Sequence, residues 1–129
     1  MASTTLCDYQ VLLSGGFTLD AATTNREHTL GFEVPSDFEF GTGARRPILV
    51  FMIEPLETTR VKLFMNERAL TELRFNKSHT RPMFQPFSAT TPFPEGSSIP
   101  KPVPLKFSLA QGKAEFSNVV IWYQIKRNA

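Results

Sequence analysis

The chain has 129 residues, 41% hydrophobic and 20% charged, and its 14 Lys and Arg against 12 Asp and Glu give a net charge of +2. That length suits a single domain over 1–129 with a substantial core, and the composition fits neither a disordered nor a membrane-embedded chain. The basic residues are scattered, with only Arg45-Arg46 and Lys126-Arg127 adjacent; nucleic-acid binders carry a basic stripe, so no nucleic-acid partner is expected.

Cys7 is the single cysteine, which forbids an intrachain disulfide and favours a reducing, cytoplasmic setting. The N-terminal residues show no basic segment followed by an apolar one, so no signal peptide is read. The longest apolar run, 48–53, is too short for a membrane span.

Residues 1–5 are small and polar and are expected to be loose. Residues 9–13 read as a first strand, broken or bulged by Ser14-Gly15-Gly16 and resumed over 17–19. A phosphate-cradling loop at the glycine pair would need more glycines and a following helix, and Thr18-Leu19-Asp20 follows instead. Residues 20–27 form a polar turn. A strand over 28–34 places Leu30 and Phe32 on one face. Phe38 and Phe40 alternate with Glu39, and Gly41-Thr42-Gly43 makes a corner. The unbroken run ILVFMI at 48–53 predicts a strand buried on both faces or at a sheet centre.

Residues 60–76, RVKLFMNERALTELRFN, read as a β-hairpin with its tip near Asn66, Glu67 and Arg68. Its period of two directs Val61, Leu63, Met65, Ala69, Thr71, Leu73 and Phe75 to one face and Phe64, Leu70, Glu72 and Arg74 to the other. A short edge strand is expected over 82–87, because proline cannot donate to a central ladder. Seven of the ten prolines fall between Pro82 and Pro104, so 88–104 reads as an extended Pro-rich crossover. Strands over 105–109 and 116–126 close the chain, joined by a turn at Gly112. No stretch has a helical period. Short strands separated by Gly/Pro turns, with one long crossover, predict an all-β antiparallel sandwich of eight or nine strands, jelly-roll-like.

Chemistry is sparse. His28 and His79 sit in no metal-ligand spacing, Asp37, Glu39 and Gly41 lack the periodicity of a calcium loop, and no GxSxG elbow is present. No metal, cofactor or catalytic residue is assigned, and the protein is read as a non-enzyme. The triplet Asn76-Lys77-Ser78 matches a glycosylation sequon of the kind that arises by chance.

The last strand, FSNVVIWYQIK, is the most informative stretch. Val119, Ile121, Tyr123 and Ile125 form a core face, which leaves Trp122 on the other with Gln124 and Lys126. If the hairpin shares this sheet, Phe64 and Arg74 join Trp122, giving rings amid hydrogen-bonding groups that suit a sugar or a partner's side chains. His79 and Arg81, in the loop after the hairpin, add anion-binding capacity. Three readings stay open: a ligand face, a face covered by the Pro-rich crossover, and a homo-oligomer interface.

The order of strand, Asn-Glu tip, strand, Thr-Arg loop, Pro-rich crossover and final FSxVVxWYQ strand, over residues 48–124, resembles small jelly-roll domains of the carbohydrate-binding-module or lectin kind. The resemblance implies a non-enzymatic module with a glycan partner, and transfers no binding residue. The alternative is an assembly protein whose aromatic face meets a protein partner. The candidate binding residues are Trp122, Gln124, Phe64, Arg74, His79 and Arg81.

Overall fold

A computed structural model describes residues 3–38, 47–88, 91–93 and 99–128. The expected alternation through Glu39 and Phe40, the corner at Gly41-Thr42-Gly43 and residues 94–98 of the crossover lie outside the described residues.

Among the described residues eight strands are formed: β1 Ser3–Asp20, β2 Glu27–Phe32, β3 Ile48–Pro55, β4 Thr59–Met65, β5 Arg68–Phe75, β6 Arg81–Pro86, β7 Val103–Gln111 and β8 Lys113–Asn128. They make two four-stranded sheets, ordered β1-β8-β3-β6 (the front sheet) and β2-β7-β4-β5 (the back sheet). All pairings are antiparallel. Every connection but the β4–β5 hairpin crosses between sheets, and that alternation defines a jelly roll.

The core follows from period-two strands with one apolar set each. Leu49, Phe51 and Ile53 of β3 and Val119, Ile121 and Tyr123 of β8 point inward from the front sheet, and meet Val61, Leu63 and Met65 of β4 and Leu105, Phe107 and Leu109 of β7. Phe107 is the hub. It meets Phe51 edge-on at 5.3 Å, Phe17 edge-on at 5.4 Å and Phe116 at 5.1 Å, the offset geometries that ring quadrupoles favour.

The structure corrects the strand reading in two places and bears out one of its stated alternatives in two others. Ser3, Thr4 and Thr5, expected to be loose, pair with Asn128, Arg127 and Lys126. The glycine pair marks a bulge and not a break, one of the two outcomes expected of it: β1 runs through it, with register shifts between Val11 and Leu13 and between Leu13 and Gly16. A Cβ at Gly16 would lie 2.9 Å from the Phe116 carbonyl oxygen, so the chains approach closely there. In the hairpin, a register shift places Phe64 opposite Ala69 and makes Leu70 the extra residue. Such a bulge reverses the alternation, and Leu70 packs against the core where Ala69 had been expected. Finally, β3 lies between β8 and β6, an interior strand as the sheet-centre reading of ILVFMI expects; only one of its faces is buried, and Ile48, Val50 and Met52 are half-buried on the other.

Candidate functional site

The front sheet has its inner face in the core, so its outer face is what this fold offers to something else. The registers place residues in rows across the strands. Tyr9, Trp122, Ile48 and Pro86 form one row, and Val11, Val120, Val50 and Phe84 the next. Gly16, Ser117, Met52 and Pro82 follow, then Thr18, Glu115 and Glu54. The first two rows carry no charge.

Tyr9 and Trp122 meet with ring centroids 4.8 Å apart and planes tilted by 38°. Four of the large side chains in these rows are solvent-exposed: Trp122 at 46%, Tyr9 at 53%, Val11 at 51% and Phe84 at 62%. With Ile48 and Val50 between them they form a contiguous apolar surface. Trp122 is therefore not covered by the described part of the Pro-rich crossover. That part packs elsewhere: Phe93 is buried edge-on against Phe38 at 6.3 Å, and the Pro92 carbonyl accepts a 2.7 Å hydrogen bond from Asn66 Nδ2.

Two rows further along, the face changes character. Around the bulge at Gly16 lies a hollow of about 290 Å³ lined by Glu54, Glu115, Thr18, Thr80 and Ser117, with Phe17 and Phe116 also contributing. Thr80 Oγ1 donates to Glu54 Oε2 at 3.2 Å. Glu54 and Glu115 stand directly opposite each other across the β3–β8 ladder.

The six residues singled out from the sequence do not form one site. Trp122 and Gln124 lie on the outer front face, with Gln124 opposite Cys7 of β1. Phe64 and Arg74 lie on the back sheet, on the far side of the sandwich. The premise that hairpin and last strand share a sheet is corrected by the strand order: β8 pairs with β1 and β3, whereas β4 pairs with β5 and β7. Phe64 is engaged by Lys106 Nζ, 4.8 Å from its ring centroid. Arg74 reaches Glu72 at 3.9 Å, and Arg60 Nε lies 3.0 Å from the same carboxylate as an ion pair without hydrogen-bond alignment. His79 is exposed. The Arg81 guanidinium sits 5.2 Å above the Phe75 ring, so the loop's charges do not converge on an anion site.

Tyr9, Val11 and Phe84 were missed by sequence reasoning. Only the β1–β8 and β3–β6 registers bring them beside Trp122. Among the described residues, no group of three or more His, Cys, Asp or Glu could hold a metal ion, and no helix is long and apolar enough to cross a membrane.

No protein-family model matches the chain. No curated protein matches it either. Among solved structures, dimeric latent PorU from Porphyromonas gingivalis aligns with a TM-score of 0.54 at 11% identity, covering 98% of this chain and 13% of PorU. CBM29_1, a family 29 carbohydrate binding module from Piromyces equi, aligns with a TM-score of 0.51 at 7% identity over 91% of each chain. The CBM36-1 domain of a multidomain xylanase from the hindgut metagenome of Trinervitermes trinervoides gives a TM-score of 0.51 at 7% identity, covering 91% of this chain and 96% of that domain. The fold is thus a jelly-roll sandwich similar to that of carbohydrate-binding modules. The chain spans about an eighth of PorU and nearly all of each module.

Proposed function

We propose that this protein is a non-enzymatic carbohydrate-binding module whose outer front face stacks sugar rings on Tyr9 and Trp122. The observation that carries the reading is the exposed ring pair, 4.8 Å apart across the β1–β8 ladder, in a stretch of the front face whose two rows carry no charge. Pyranose rings present flat C–H surfaces that rest on aromatic faces, and nearby polar groups then fix orientation. Gln124 next to the pair and the hydroxyl- and carboxylate-lined hollow further along supply such groups. Two solved proteins of this fold are named carbohydrate-binding modules, which supports the same reading.

A second reading has its own observation. Val11, Val50 and Val120 are aliphatic and lie in the row beside the rings, and aliphatic surface of this kind also suits an interface between copies of this chain. One experiment separates the two. Wild-type, Trp122→Ala and Tyr9→Ala proteins are applied to a glycan array, and their masses are measured by light scattering. Under the glycan reading both variants lose retention at unchanged mass. Under the assembly reading the variants drop in mass. If wild type is retained on no glycan and remains a monomer, both readings are wrong.

A further inference from the structure

We infer that the hollow beside Glu54 and Glu115 is a second saccharide subsite on the front face, selective for the vicinal hydroxyls of an uncharged ring; this rests on the glycan reading of that face. The hollow lies in line with the ring pair. Along β8, Glu115 is seven residues from Trp122, a span of roughly 20 Å at ~3.3 Å per residue, and both side chains project outward. One sugar ring cannot touch both places, whereas an oligosaccharide lying along the strands reaches from one to the other. The hollow exists because the β1 bulge presents Gly16, which has no side chain, opposite Ser117.

Its chemistry differs from that of the ring pair. Thr18, Thr80 and Ser117 offer hydroxyls, and Glu54 and Glu115 offer carboxylate oxygens. No cation pairs with either glutamate among the described residues. Two carboxylates placed opposite each other on a sheet repel, and donors arriving from outside relieve that repulsion. Adjacent hydroxyls of a sugar are such donors, because O–H to carboxylate bonds are short and strong. A uronic-acid or sulfated ring would add a third negative charge and be rejected. The subsite therefore takes neutral chains, whose hydroxyls and flat C–H faces satisfy the hollow and the ring pair together. Occupying both sites with one molecule makes the second contact intramolecular.

The test is a binding titration with cellobiose, cellohexaose and a β-linked hexa-uronate, on wild type, Trp122→Ala, Thr80→Ala and the double variant Glu54→Gln/Glu115→Gln. Thermal unfolding confirms that each variant folds. Wild type should bind cellohexaose more tightly than cellobiose and should not bind the uronate. The double variant should lose about tenfold for cellohexaose, lose nothing for cellobiose, and gain uronate binding. Thr80→Ala, which frees Glu54 Oε2, should show a smaller loss confined to cellohexaose. If cellohexaose binds through Trp122 but neither hollow variant changes its affinity, the subsite is wrong and the glycan reading survives. If wild type binds none of the three, both are wrong for this class of sugar.

Discussion

Tyr9 and Trp122 are partners in the β1–β8 register, and their rings meet at 4.8 Å on the solvent side of the front sheet. They come from strands more than a hundred residues apart in sequence, so the pair is a product of the fold. Each ring limits the other's rotation, which lowers the entropy lost when a ligand stacks on them.

The pair should behave as a binding element and not as a structural one. Trp122→Ala is expected to weaken glycan binding by at least ~30-fold, as central aromatic anchors do. Its stability should fall by about 1 kcal/mol or less, because half the ring is already in water. Calorimetric titration beside urea unfolding reads both quantities. A large stability loss would instead place Trp122 in the core.

The hairpin tip carries a stability prediction of opposite sign. Asn66 and Glu67 have φ of 53° and 64°, the two-residue turn that matches strand twist and prefers Asn-Gly. Asn tolerates the left-handed region, and Glu does so at a cost. Glu67→Gly should therefore stabilise by about 0.5 kcal/mol after allowing for the greater freedom of glycine in the unfolded chain. Glu67→Val should destabilise. Midpoints of urea unfolding decide the order of the three proteins.

In the core, Phe107 of the back sheet touches three rings of the front sheet, Phe17, Phe51 and Phe116. Phe107→Ala should cost about 3–5 kcal/mol, a fall of roughly 10–20 °C in melting temperature for a chain of this size. A fall of only a degree or two in scanning calorimetry would mean that the two sheets do not meet through this ring.

Tyr123 gives a pH dependence. Burial, with smaller contributions from the charges of Asp8 and Asp37, raises its pKa above the ordinary 10.0. The folded state therefore holds the phenol proton more tightly than the unfolded chain does. Its contribution is complete below about pH 10 and is lost as pH rises from there through the raised value. Unfolding free energy measured from pH 8 to 11 should fall less steeply for Tyr123→Phe than for wild type. Parallel curves would contradict the assignment.

The alternation of Val119, Ile121 and Tyr123 against Val120 and Trp122 is visible in the sequence because a strand's period of two needs no partner to be read. The hairpin and the edge strand at Pro82 are legible for the same local reason. What cannot be read is pairing. Nothing local states that β8 lies between β1 and β3, so Phe64 was grouped with Trp122 although it faces the opposite side of the sandwich. Nor does ILVFMI reveal that Ile48 and Val50 face outward, because an apolar run looks alike whether one face or both are covered. Leu70 was misplaced because a bulge is a property of two strands, and only one is present in a local window.

Trp122 is the only tryptophan of the chain, so its fluorescence reports directly on the proposed face. The decisive measurement is that emission, with acrylamide quenching, during titration of the protein with cellohexaose at fixed protein concentration. The expected result is a saturable blue shift with reduced quenching, absent when Tyr9 is replaced by Ala. A spectrum unmoved by a panel of neutral β-linked oligosaccharides, but shifting as the protein alone is concentrated, would contradict the glycan reading and assign the face to a second copy of the chain.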